Sequence, residues 1–139
     1  MVLPMENHVI ICGFGWVGKK VAEILHSHNI KFVIVELNPE TKVVIEELGY
    51  QMITGDATSA KTLHNAGVEN ASALVAAIDN DAKNLFIILT AKRLNNKLFI
   101  ATRTKDDMVI DKFKEAGADF IVNSLKSATD EIMDEIANG

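Results

Sequence analysis

The sequence predicts an α/β protein with a Rossmann-like, doubly wound sheet of six parallel strands in the order 3-2-1-4-5-6, followed by a C-terminal helix. Three observations predict it. Short β-branched or apolar runs alternate with amphipathic stretches along the whole chain. The first run is followed at once by Gly13-Phe14-Gly15-Trp16-Val17-Gly18, and every connection is short. Right-handed β-α-β crossovers leave few other topologies for such an alternation. A chain of 139 residues has room for one domain, residues 1–139, and none for a separate substrate domain.

Residues 9–12 form an apolar run closed by Gly13, which reads as a strand buried on both faces. After the turn, Val17, Val21, Ile24 and Leu25 share one helical face, with Lys19, Lys20 and Glu23 opposite, giving a helix to about Ser27. Residues 32–36 are β-branched and brief, the second strand. Asn38-Pro39 supplies an N-cap residue and a proline at the first helical position, and Gly49 ends that helix. Residues 52–54 are the third strand, and 59–66 a short helix closed by Gly67. Residues 73–77 are the fourth strand, 80–94 a helix, and 98–102 the fifth strand. A helix over 106–116 starts from two acidic residues and ends at Gly117; residues 119–122 are the sixth strand and 124–136 the last helix.

Two helices stand out by composition. Leu85-Phe86-Ile87-Ile88-Leu89 is apolar on every side, which suits either a well-buried core helix or one wedged between the sheet and another subunit. In the last helix Leu125, Ala128, Ile132 and Ile136 form a stripe with Met133 beside it, ready to pack on its own sheet or across a dimer.

Composition removes several function classes. With 48% hydrophobic and 24% charged residues the chain is an ordinary globular one, so disordered and collagen-like classes are out. A net charge of -5 has the wrong sign for a domain that grips phosphate backbones, so nucleic acid is not expected as a partner. The single cysteine, Cys12, cannot form an internal disulfide and fits a reducing compartment. The first seven residues lack a basic leader, and no apolar run approaches the ~18 residues that span a bilayer, so a soluble, cytoplasmic chain without direct membrane insertion is expected.

The glycine pattern between a strand and a helix is the placement of a dinucleotide-binding turn. Gly13 permits the tight turn, Gly15 lets a pyrophosphate approach the backbone, and Gly18 lets helix and strand pack closely. Free N–H groups at the helix start then hold the anion. No Lys or Arg lies inside the loop, so Phe14, Trp16 and Val17 contribute backbone rather than charge. Glu36, at the end of the second strand beside Leu37, is placed to accept from both ribose hydroxyls, which favours NAD or an adenosine nucleotide over NADP.

Gly55-Asp56-Ala57-Thr58 follows the third strand on the same rim, so Asp56 is a candidate partner for an adenine amino group and Ala57 leaves space for the ring; the bland alternative is a turn with an N-cap. Ile78-Asp79-Asn80-Asp81 follows the fourth strand and Thr102-Arg103-Thr104 the fifth. Arg103 is the well-placed cation for a distal phosphate, or else a surface arginine paired with Asp106 or Asp107. Asp79 and Asp81 either cap a helix or contribute to a divalent-metal site, and no metal is assigned. No catalytic residue is assigned either. His8, His26, His28, His64 and Tyr50 all fall away from the second half of the sheet, where hydride-transfer enzymes place an acid or base, and Cys12 reads as inert core.

These residues as a set resemble an RCK (regulator of K⁺ conductance) domain of the Trk-type N-terminal kind, and the resemblance covers essentially the whole chain. Beyond the segment from His8 to Gly18 and Glu36, its specific parts are Gly55-Asp56-Ala57-Thr58, the stretch from Ala66 to Ala71, Asp79-Asn80-Asp81-Ala82-Lys83-Asn84, and Ala116-Gly117-Ala118-Asp119. The resemblance implies a cytoplasmic regulatory module at the inner face of the cell membrane, partnered with a potassium channel or transporter subunit. It implies a homodimer, or a larger ring, whose geometry responds to NAD(H), ATP, ADP or AMP. Carried over by position, Gly13, Gly15 and Gly18 hold phosphates, Glu36 the ribose, Asp56 and Ala57 the adenine, and Arg103 a distal phosphate. Two departures are visible: Trp16 stands where many relatives carry arginine, and the family's second, C-terminal domain is not within these residues. The rival expectation is a small NAD-dependent oxidoreductase or a fragment of one, which accounts for the glycine loop and Glu36 but not for the missing acid or base.

Overall fold

A computed structural model of the chain describes residues 2–139. Its element order is β1 (Val9–Cys12), α1 (Trp16–Ser27), β2 (Phe32–Glu36), α2 (Pro39–Glu47), β3 (Met52–Thr54), α3 (Ala60–Asn65), β4 (Ala73–Ala76), α4 (Asp81–Leu94), β5 (Phe99–Thr104), α5 (Ile110–Ala116), β6 (Phe120–Asn123) and α6 (Ser124–Asn138). The six strands form one sheet in the order β3-β2-β1-β4-β5-β6, with every neighbouring pair parallel.

Strand alternation divides the core into two layers. Ile10, Cys12, Val33 and Val35 point to one face, where Leu63 of α3, Ile87 and Ile88 of α4 and Phe113 of α5 cover them. Val9, Ile11, Phe32 and Ile34 point to the other, against Ala22 of α1 and Ile45 of α2. Both faces of β1 and of most of β2 are therefore out of water, which is why these strands read as continuous apolar runs. Because β2 and β4 flank β1 on opposite sides, the chain reverses direction of winding at β1, and the carboxyl ends of β1 and β4 part to open a crevice.

The elements agree with the pattern of the sequence, with local differences. β5 runs to Thr104 rather than stopping at residue 102, because Arg103 and Thr104 pair in register with Val122 and Asn123 of β6. The segment expected as one helix over 106–116 divides into a 3₁₀ turn at Asp107–Val109, capped by the Asp106 side chain, and α5. A second 3₁₀ turn, Val68–Asn70, follows the left-handed Gly67. α4 is neither wholly buried nor wholly free. Ile87, Ile88 and Ala91 face the sheet, while Phe86 and Leu89 are 59% and 50% exposed. α6 packs along β5 and β6 with no residue buried, so its stripe of Leu125, Ile132, Met133 and Ile136 faces solvent. No helix of the described residues is long and apolar enough to cross a membrane.

Candidate functional site

At the carboxyl ends of the strands lies a cleft of about 640 Å³. Gly13, Phe14, Gly15, Trp16, Val17, Glu36, Leu37, Asp56, Ala57, Ile78, Asp79 and Arg103 all line it, so residues from five parts of the sequence converge on one rim. Gly18 stands behind the lining, and the reason is packing. A Cβ at Gly18 would lie 2.1 Å from the Gly13 carbonyl oxygen, so the glycine lets the first turn of α1 press against the end of β1. Gly13 itself adopts φ +97°, a left-handed conformation that side chains disfavour.

Gly15 differs in kind. Its φ of -80° is open to any residue, and a Cβ there would meet nothing within 4 Å. It is the N-cap of α1, yet no side chain caps this helix and no acid lies in its first turn. By contrast Asn38, Ser59, Asn80 and Asn123 cap α2, α3, α4 and α6 with their own side chains. The amide groups of the first turn of α1 therefore face the cleft with the helix dipole behind them, the arrangement that attracts an oxyanion.

Glu36 is fixed by three backbone N–H groups. Phe14 N–H donates to Oε2 at 2.9 Å, and Leu37 and Asn38 donate to Oε1 at 3.2 and 3.1 Å. A carboxylate offers about four acceptor positions, so roughly one is left for a ribose hydroxyl rather than a free pair. Asp56 is exposed and accepts from both the Oγ1 hydroxyl and the backbone N–H of Thr58, at 2.7 and 2.9 Å. These bonds, the hydroxyl first, hold its carboxyl below the usual carboxylate range. Ala57 beside it is buried, as an exposed turn would not require.

Across β1, Ile78 is held by a side chain the sequence reading left without a role. The amide of Asn84, wholly buried in the first turn of α4, accepts from Ile78 N–H at 3.1 Å and donates to Ile78 O at 2.7 Å. Asp79 projects from this turn and binds two cations: Arg103 Nη1 at 3.2 Å and Lys105 Nζ at 3.1 Å. Those two contacts, Lys105 first, keep its carboxyl low. Arg103 is only 9% exposed and also donates from Nη2 to Ser124 Oγ at 3.0 Å, while its buried Nε–H has no acceptor among the described residues. The alternative pairing of Arg103 with Asp106 or Asp107 is not formed. Asp106 caps the following turn through Met108 N–H, and Asp107 accepts from Asn123. Asp81 accepts from the Thr104 hydroxyl at 2.8 Å, and Asn80 rather than either aspartate caps α4.

Arg103 is also not alone as a cation. Lys83 and Lys105 line the same cleft, and so do Ser124, Leu125 and Ala128 of α6. The signal for Lys105 was its place just after a strand on the ligand rim, obscured because β5 was expected to end sooner. Nothing local marked α6 as a wall of the cleft. Away from it, His8 is buried before β1 and donates from Nε2 to Ala66 O, and His64 pairs with Glu69. Cys12 is fully buried, which pushes its thiol up to about 12.

The sequence pattern of the TrkA-N domain family matches residues 9–124. Potassium channel protein 1 of Methanocaldococcus jannaschii is 37% identical over 136 residues, covering 91% of this chain and 40% of that protein. Among solved structures, a GsuK channel bound to NAD superposes with a TM-score of 0.79 at 26% identity, over 86% of this chain and 22% of that one. The Kef CTD of Shewanella denitrificans in its AMP-bound form gives 0.79 at 26% identity, over 94% of this chain and 80% of that one. The chain thus spans well under half the length of the channel relatives it matches.

Proposed function

Because the chain belongs to the TrkA-N domain family, we propose that it is a ligand-sensing regulatory domain of a potassium channel or transporter, binding NAD(H) or an adenine nucleotide in the cleft without catalysing a reaction. The observation that carries this reading is the start of α1, the long helix of the chain left uncapped, where Gly15 exposes bare backbone to a cleft that Glu36 and Asp56 also line. The residues present fit an adenine nucleotide. The amides from Gly15 onward would hold phosphate, Glu36 the ribose, and Asp56 with Ala57 the adenine. Glu36 would repel a 2′-phosphate, which disfavours NADP. NAD and AMP share the adenosine phosphate half, so the ligands named for the two solved relatives are compatible with one set of contacts here.

Binding becomes regulation only if the ligand favours one assembly geometry over another. Two routes lead outward from the cleft. Ser124, Leu125 and Ala128 put α6 in its wall, with Arg103 tying Ser124 to the sheet, and α4 carries exposed Phe86 and Leu89. On this reading the domain works on the cytoplasmic side of a membrane, beside a channel or transporter subunit, as a homodimer or part of a larger ring. Against the oxidoreductase alternative, the histidines and Tyr50 lie outside the cleft, and of the two lysines that line it Lys105 is paired with Asp79.

The test is calorimetric titration of nucleotide-stripped protein with NADH, NAD⁺, ATP, ADP and AMP, with Gly15→Ala as the control, together with an absorbance assay for NADH turnover. The reading expects tight binding of at least one nucleotide, loss of it in Gly15→Ala, and no turnover. No binding by any of them leaves the glycine loop a structural turn.

A further inference from the structure

We propose that Trp16 determines which class of nucleotide the cleft takes, favouring a dinucleotide whose second ring lies against the indole over a nucleoside triphosphate; this rests on the nucleotide-binding reading above. Trp16 is the first residue of α1 and lines the cleft, yet it is 83% exposed and makes no aromatic pair among the described residues. A large apolar face thus stands bare at the point where the helix amides gather an anion. The loop that carries it contains no cation to greet a further phosphate.

The wall on the β4 side explains the preference. Its cations are already engaged: Asp79 holds both Arg103 and Lys105, and Ser124 also binds Arg103. The remaining lysine, Lys83, lies within electrostatic reach of Asp56, on the adenine side. A third phosphate would have to compete with Asp79 for both cations and would lie beside its carboxylate, a like charge. A planar ring would not, because Ile78, Leu125 and Ala128 supply apolar surface on this side of the cleft and Trp16 supplies a flat face. Stacking of a ring on tryptophan gains from both apolar burial and the π-system.

The test compares NAD⁺, ADP-ribose, which is the same molecule without the nicotinamide, and ATP, each titrated into the unmodified protein, Trp16→Ala and Trp16→Arg. Because Trp16 is the single tryptophan, its fluorescence reports on this position alone. The proposal expects NAD⁺ to bind roughly tenfold more tightly than ADP-ribose and to quench Trp16 more strongly. It expects that difference to vanish in Trp16→Ala with ADP-ribose unchanged, and ATP to gain in Trp16→Arg. Equal affinity for NAD⁺ and ADP-ribose in the unmodified protein, or equal loss of both in Trp16→Ala, overturns it. Absence of binding by all three ligands in all three proteins overturns the nucleotide reading itself. An exposed side chain can be truncated without cost to the core, so a thermal melt matching the parent accompanies each variant.

Discussion

The Phe14 backbone N–H donates to Glu36 Oε2 at 2.9 Å, fastening the turn that opens α1 to the end of β2 across 22 residues of sequence. The same carboxylate receives Leu37 and Asn38, so one side chain shapes two banks of the cleft. Glu36→Ala leaves the Phe14 N–H without its acceptor, at a cost of about 1–3 kcal/mol, and is expected to lower nucleotide affinity at least as much. Glu36→Gln keeps one acceptor oxygen but turns an NH2 toward either the Phe14 N–H or the Leu37 and Asn38 N–H groups, so it should recover only part of the stability while weakening discrimination against NADPH. Denaturant melts and titrations with NADH and NADPH read both effects; an alanine variant with parental affinity would count against the ribose role.

Gly18 and Gly15 are expected to separate by mutation. Gly18→Ala forces a methyl onto the Gly13 carbonyl, and overpacking of this kind costs about 1–3 kcal/mol or more. Gly15→Ala meets nothing and has an ordinary φ, so its melting temperature should match the parent while phosphate contact is blocked. A Gly15→Ala protein that binds nucleotide normally would remove the phosphate from this turn.

Asn84 is expected to matter without touching ligand. Its amide is the partner of both the N–H and the carbonyl of Ile78, so Asn84→Leu strands two backbone groups and should cost about 2–4 kcal/mol in a denaturant melt. Amide exchange at Ile78 should speed up in parallel. Unchanged exchange there would mean the turn is held by other contacts.

The carboxyl of Asp79 is held low chiefly by Lys105 and then by Arg103. A depressed native value means that its contribution is present above the unfolded-state pKa of about 3.9 and fades as pH falls through the lower native value. In an NMR titration the Asp79 midpoint should lie below that of a free aspartate and rise toward it in Lys105→Ala. A midpoint indifferent to Lys105 would show the ion pair to be absent in solution. Neutral-pH stability should barely change, because the carboxylate is exposed.

The thiol of Cys12, pushed up to about 12 by burial, should resist a thiol-directed reagent in native protein at neutral pH and react fully once denaturant exposes it. Rapid native labelling would show that the β1 region opens far more often than its packing implies.

Exposed apolar residues on α4 and α6 test assembly. Leu89→Glu and Ile132→Glu each place a charge on one of the two open faces. If α4 is an assembly face, native mass measurement should show the oligomer weakened by the first; if α6 is, by the second. A stable, unchanged oligomer with Leu89→Glu excludes the α4 route.

Much of this was legible in one dimension because it depends on neighbours a few residues apart. The doubly wound parallel sheet followed from alternation and crossover handedness, and the cap at Asn38 from a side chain next to the amide it satisfies, whereas at α4 the cap fell to Asn80 and not to the neighbouring aspartates. The convergence of the glycine loop, Glu36, Asp56 and Asp79 followed from each lying just past a strand. What the chain could not announce were contacts fixed by register between distant strands. Arg103 found Asp79 and Ser124, 24 and 21 residues away, because β5 extends to pair with β6 and carries the guanidinium inward. Lys105 and the first turn of α6 reached the cleft by the same extension. Periodicity reports which face of an element is apolar, a property of local sequence. Which polar group meets which across the sheet depends on the relative shift and twist of strands, and that is set only when the whole core packs.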